Sequence, residues 1–138
     1  MMDSITVQAE TAELDKVNDF VLGKLERFDC DKNTLLQIRL AVEEIFVNIA
    51  SYAYAPQKGT AEIRCEILAD PLRVVLQFLD SGNPFDPLAK GDADISKEGL
   101  LSRTGGLGIF LVKETMDNVA YAYEDGKNIL TVLKKIRG

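Results

Sequence analysis

One acid and one amide stand four residues apart inside an otherwise apolar run, Leu40 to Ala50. A helix returns to nearly the same face every four residues, so Glu44 and Asn48 share a face. Gln37 and Ala41 fall near it. Ile38, Val42, Ile45 and Ile49 make a separate apolar stripe, and Arg39 and Glu43 meet on a third, solvent-facing side. The adjacent glutamates are therefore not equivalent. Glu43 has a cation within reach and water around it, whereas Glu44 sits beside an amide between apolar flanks. A partly buried carboxylate needs a partner, a metal or a proton. Asn48 can offer its amide oxygen to a hard cation. The plain structural alternatives are an acid tied to a basic side chain and an amide bonded to nearby backbone.

Two later segments carry further chemistry. Val74 to Phe85 reads as a buried strand that ends in Asp80 and turns at Gly82. A carboxylate at a strand end can select an exocyclic amine. The alternative is a turn-capping aspartate, the usual work of Asp-x-Gly. Phe85 is expected to pack the turn. The second segment, Arg103 to Val112, is a glycine cluster that opens an apolar helix. Glycines let the backbone approach a ligand closely, and the helix start offers free N–H groups to an anion. The pattern is not a phosphate loop of the Gly-x-x-x-x-Gly-Lys type. It is no dinucleotide fingerprint either, since the third glycine and the preceding strand are missing.

Taken together, Glu44-x-x-x-Asn48 on a helix, Asp80-x-Gly82 after a strand and Gly106-x-Gly108 before a helix resemble the asparagine box and the two glycine boxes of the GHKL ATP-binding fold. The form Asp80 to Pro87, with proline after the Gly-x pair, is most similar to the small anti-sigma-factor serine kinases, as is the Tyr52-Ala53-Tyr54 ending of the long helix. The resemblance runs from about Ile5 to Ile136. It implies ATP and magnesium as cofactors, with Glu44 as the base that accepts a proton from a serine or threonine hydroxyl and Asn48 as the magnesium ligand. It further implies that Asp80 and Gly82 receive adenine. Arg103, Thr104, Gly105, Gly106, Leu107 and Gly108 would cradle phosphates, and Asp86 to Thr104 would form a lid with Lys90 and Lys97. The implied partners are a small antagonist protein as substrate and a sigma factor or other target, with a homodimer as the assembly. One position departs from the pattern: Tyr52 stands where a basic residue is expected. That leaves room for a non-catalytic ATP-binding module acting by stoichiometric binding.

Bulk properties agree with a soluble regulator. At 138 residues, 46% hydrophobic and 28% charged, the chain is expected to be a single domain, residues 1–138, with a core of its own. A net charge of −6 argues against a nucleic-acid surface. No apolar run approaches the roughly 20 residues that span a bilayer, and the start lacks a secretory pattern, so the expected location is the cytoplasm, with no membrane partner. Cys30 and Cys65 lack ligand spacing and are expected to be reduced. The absence of histidine removes Ser-His-Asp and Cys-His catalysis, most zinc sites and phosphohistidine chemistry on this chain.

The elements that must position these residues are legible from periodicity. Ile5 to Ala9 alternates as a strand. A helix capped by Thr11 runs to about Phe28, and the long helix, capped by Asp31 or Asn33, runs to about Tyr54 before Pro56. Thr60 to Leu68 and Leu72 to Leu79 make a hairpin about Asp70-Pro71. Ile109 to Met116 is helical. Val119 to Tyr123 and Asn128 to Lys134 form a last hairpin with Asp125-Gly126 at its turn. The predicted fold is an α/β two-layer sandwich, a mixed, mostly antiparallel sheet with helices on one face.

Overall fold

The computed structural model describes residues 2–54, 59–88 and 106–137. Strand β1 (Asp3–Gln8) leads through a 3-10 turn (Thr11–Glu13) into helix α1 (Leu14–Leu25) and then helix α2 (Lys32–Tyr52). Strands β2 (Thr60–Leu68) and β3 (Leu72–Asp80) follow. Helix α3 (Gly106–Thr115) precedes β4 (Asn118–Glu124) and β5 (Lys127–Arg137). The five strands form one sheet in the order β1-β2-β3-β5-β4, and each of the four pairings is antiparallel.

Alternation along the strands makes the two layers. In β2, Ala61, Ile63 and Cys65 are buried while Glu62 and Arg64 face away and form an ion pair at 2.9 Å. Val74, Leu76 and Phe78 of β3 and Leu130 and Val132 of β5 continue the buried face. Against it lie Val17, Val21 and Leu25 of α1, Ile38, Val42, Ile45 and Phe46 of α2, and Val112 of α3. Of the apolar stripe expected on α2, Ile38, Val42 and Ile45 are buried and Ile49 partly so, while Ala41 and Phe46 beside it are buried as well. Arg39 and Glu43 form their solvent pair at 3.2 Å.

Local signals act as expected at most ends. Asp31 caps α2 by accepting the Thr34 N–H at 2.8 Å. The final hairpin turns through Asp125 and Gly126, at φ 53° and 75°. Four boundaries differ from expectation, one being the end of α1, which falls at Leu25 and not near Phe28. Thr11 opens the 3-10 turn, so α1 begins after Glu13 without a side-chain cap. Helix α2 ends at Tyr52, and Tyr54 is released to bond strands instead. Glycine residues 106 and 108 lie within α3, which therefore starts three residues before Ile109. Both thiols are free, and burial pushes Cys65 up to about 11.

Candidate functional site

Asp80 and Asn128 lie opposite each other in the β3–β5 register, at one end of the sheet. Both belong to the helix-facing side, because Phe78 and Leu130 two residues away are core residues. Each is only 7% exposed. Burial at this level demands partners, and the partners are specific. Asp80 Oδ1 accepts the Gly82 N–H at 2.9 Å and an Asn128 Nδ2–H at 2.9 Å. Asp80 thus does cap its turn, as the plain alternative requires. It does so through Oδ1, and no described residue bonds its other oxygen.

Asn128 organises the rest of the turn. Its Nδ2 also donates to the carbonyls of Asn83, at 2.9 Å, and Gly82, at 3.5 Å. Its Oδ1 accepts the Phe85 N–H at 3.1 Å and the Tyr121 hydroxyl. Burial is the main reason that the Tyr121 phenol is pushed above its ordinary value; the Phe85 amide opposes it, and Asp86 and Asp80 add to it. The hydroxyl therefore keeps its proton and donates. Phe85 is 48% exposed, so about half of the residue is covered at this turn.

The end of α2 is fastened to the same loop. Ala53 O accepts the Asn83 N–H at 3.2 Å. A Cβ at position 82 would stand 2.6 Å from the Ala53 carbonyl carbon, so only glycine admits this approach. The Tyr54 hydroxyl accepts the Ser81 N–H at 2.7 Å and donates to Thr60 O at 2.6 Å, tying the start of β2 to the end of β3.

Further back along α2, Glu44 meets α3. A Cβ at position 108 would stand 2.7 Å from the Glu44 carboxyl carbon. Gly108 is the third residue of α3, so the carboxylate lies at the first turn of that helix. Glu44 is half-buried and forms no ion pair with a described basic side chain, which removes that alternative among the described residues. Asn48, also half-buried, stands one turn further on. From Glu44 to Ala53 is about 14 Å along the helix axis at ~1.5 Å per residue. Helix α2 is therefore a ruler, with the α3 contact at one mark, the Asp80 loop at the other and Asn48 between them.

The donor set suits a nucleotide and its cation. The close approaches at Gly82 and Gly108 leave backbone, not side chain, at both marks. No cluster of three or more acidic or thiol ligands exists among the described residues, so a cation here would draw on Asn48 together with phosphate oxygens and water. Arg103, Thr104 and Gly105, with the expected lid and its Lys90 and Lys97, lie outside the described residues. Gly106 and Leu107 are described as the first backbone positions of α3.

Sequence reasoning missed Asn128 and Tyr121, and it gave Tyr54 no role. One signal was available. Asparagine disfavours strands, yet Asn128 opens a strand of Ile, Leu, Thr and Val, and such a residue calls for a specific partner.

Residues 7–134 match the family model described as a histidine kinase-like ATPase domain. A protein of Listeria monocytogenes named serine-protein kinase RsbW is 26% identical over 138 aligned residues, covering 94% of this chain and 86% of its own length. A Staphylococcus aureus protein of the same name is 30% identical over 115 residues, covering 78% of this chain and 70% of its own. Among solved structures, the RsbU and RsbW domains of a Mycobacterium tuberculosis protein align with all of this chain at a TM-score of 0.70 and 15% identity; the chain spans about a third of that protein's chain, 33%. The histidine kinase domain of an Erythrobacter litoralis blue-light activated kinase aligns with 91% of this chain and 60% of its own, at a TM-score of 0.57 and 12% identity. These two likenesses concern the fold. No helix among the described residues is long and apolar enough to cross a membrane.

Proposed function

The chain belongs to the histidine kinase-like ATPase domain family, and from that premise we propose that it is an ATP-dependent protein serine/threonine kinase of the anti-sigma type. It phosphorylates a small antagonist protein and sequesters a sigma factor or another target, so that the two partners compete for it. The observation that carries this reading is the ruler of α2. Glu44, Asn48 and the Asp80–Gly82 loop are held in sequence along one helix between two close glycine contacts. The similarity to proteins named serine-protein kinase over nearly the whole chain supports the same reading.

Each residue then has one task. Asp80 accepts a hydrogen bond from the adenine amine, and Gly82 lets the base come close. Asn48 ligates the magnesium ion that accompanies the phosphates. The first turn of α3, with Arg103, Thr104, Gly105, Gly106, Leu107 and Gly108, receives the phosphate oxygens. Magnesium-bound ATP supplies the phosphoryl group. Glu44 takes the proton from the attacking serine or threonine hydroxyl, a task that calls for positioning and electrostatics more than covalent chemistry.

A second reading has one specific observation in its favour. Tyr52 replaces an expected basic residue, which fits a regulatory module that binds ATP without transferring phosphate. One experiment separates the two. The protein is incubated with magnesium, ATP and each candidate antagonist from its genome, and phosphoserine or phosphothreonine is read by mass spectrometry. Phosphotransfer that disappears in Glu44→Ala, with ATP binding retained, supports the kinase. Tight partner binding with no phosphate on any partner supports the module.

A further inference from the structure

Asn128 is the feature of the site that no box accounts for. It sits on β5, 48 residues from the aspartate it bonds. Its amide orientation is fixed by the chemistry of its partners. Asp80 Oδ1, Gly82 O and Asn83 O can only accept, and the Phe85 N–H can only donate. The NH₂ group must face the 80–83 turn and the oxygen must face Phe85 and Tyr121. No other side chain of this length offers two donors on one side and an acceptor on the other. Aspartate would set a second carboxylate against Asp80, and leucine would leave the turn carbonyls unbonded.

We propose that Asn128 is a positioning residue that confers selectivity for the 6-amino group of the purine. The inference rests on the reading of Asp80 as the adenine acceptor. With Oδ1 committed to the Gly82 and Asn128 donors, the carboxylate cannot rotate freely, and no described residue bonds its other oxygen. Without Asn128 the Asp80 group would keep only the Gly82 N–H. Its plane could then turn, and Gly82 and Asn83 would lose their anchor to β5. A loosely held acceptor forfeits discrimination before it forfeits binding, because on the same reading the phosphates bind at the start of α3 and the cation at Asn48, away from Asp80.

The test compares affinities for ATP and for purine riboside triphosphate, which lacks the 6-amino group, in the wild type and in Asn128→Ala, by calorimetry with magnesium. The wild type is expected to prefer ATP by about tenfold or more, the usual worth of a hydrogen bond to a charged acceptor. Asn128→Ala is expected to bring that ratio close to 1 while binding of the analogue changes by less than about threefold. Asn128→Asp should behave the same way or worse. Equal weakening of both nucleotides would assign Asn128 a purely structural role and overturn the inference, as would an unchanged ratio. If Asn128→Ala does not fold, Tyr121→Phe decides by the same criterion, since it removes one bond from the same amide. A wild type that binds ATP without preferring it over the analogue overturns the assignment of Asp80 as the adenine acceptor, a result distinct from an Asn128 variant that keeps the wild-type preference.

Discussion

The carboxylate of Glu44 occupies the space where a side chain at position 108 would begin. An acid on one helix and the absence of a side chain on another are thus a single fitted contact, made between residues 64 positions apart.

Gly108→Ala should disable phosphotransfer without unfolding the protein. The added methyl meets the far end of a flexible side chain, so Glu44 can swing aside. Alanine is also the better helix former, by about 1 kcal/mol. The expected result is a melting temperature equal to or above that of the wild type. Transfer to a partner should fall by at least about tenfold, because a base displaced by even ~1 Å works poorly. Thermal melts beside a phosphotransfer assay check this. A variant that transfers phosphate at the wild-type rate would separate Glu44 from the chemistry.

The Asp80 loop should respond differently. At Gly82 the obstacle is the carbonyl of Ala53, which belongs to the backbone and cannot move aside without the helix end. Gly82→Ala should lower both thermal stability and ATP affinity. Tyr54→Phe is the milder version. It removes the bonds to Ser81 N–H and Thr60 O and should cost about 1 kcal/mol, with a parallel loss of ATP affinity. Denaturant melts and nucleotide titrations on the two variants give the comparison.

The cap of α2 makes stability depend on pH. The Thr34 N–H holds the Asp31 carboxyl below its ordinary value. A depressed value in the folded state means that the contribution is present above the unfolded pKa and is lost as pH falls through the folded one. Asp31→Ala should melt below the wild type at neutral pH, and the gap should close as pH falls below the ordinary aspartate range. Circular-dichroism melts across that range are the measurement.

The two thiols should be slow and unequal. Burial pushes Cys65 up to about 11, and burial followed by the charges of Asp31 and Asp29 raises Cys30. At about pH 8 a thiol reagent should reach the half-buried Cys30 first and Cys65 only on unfolding. Because the folded value of Cys65 is raised, its contribution to stability is complete below the ordinary thiol pKa. It is lost as pH rises through about 11. Timed labelling read by mass spectrometry tests the order.

What could be read from the sequence was what is local. The cap at Asp31, the Asp125-Gly126 turn, the α2 stripe and the Glu44–Asn48 face are set within a few residues, and each signal is carried by residue type and spacing. Asp80 and Gly82 were legible for the same reason, as an Asx-type turn. The partner of Asp80 was not. Asn128 becomes meaningful only through the β3–β5 register, which no local pattern states. Tyr54 was hidden by the end of α2, since periodicity gives no sign of which aromatic leaves the helix. Thr11 shows the limit of capping rules: the type was suitable, but the chain entered a 3-10 turn first.

Strand β5 follows the other four described strands in sequence yet stands inside the sheet, between β3 and β4. Among the described residues strand β4 has no other neighbour, and Asp80 faces β5 through Asn128. A ribosome therefore delivers the Asp80 loop well before it delivers the residue that braces it. Until the eleven-residue β5 emerges, β4 cannot join β3 and the Asp80 turn has no brace. Non-local pairing of this kind is slow to form. Closing the sheet and bracing the Asp80 turn are thus a single event in the making of each copy.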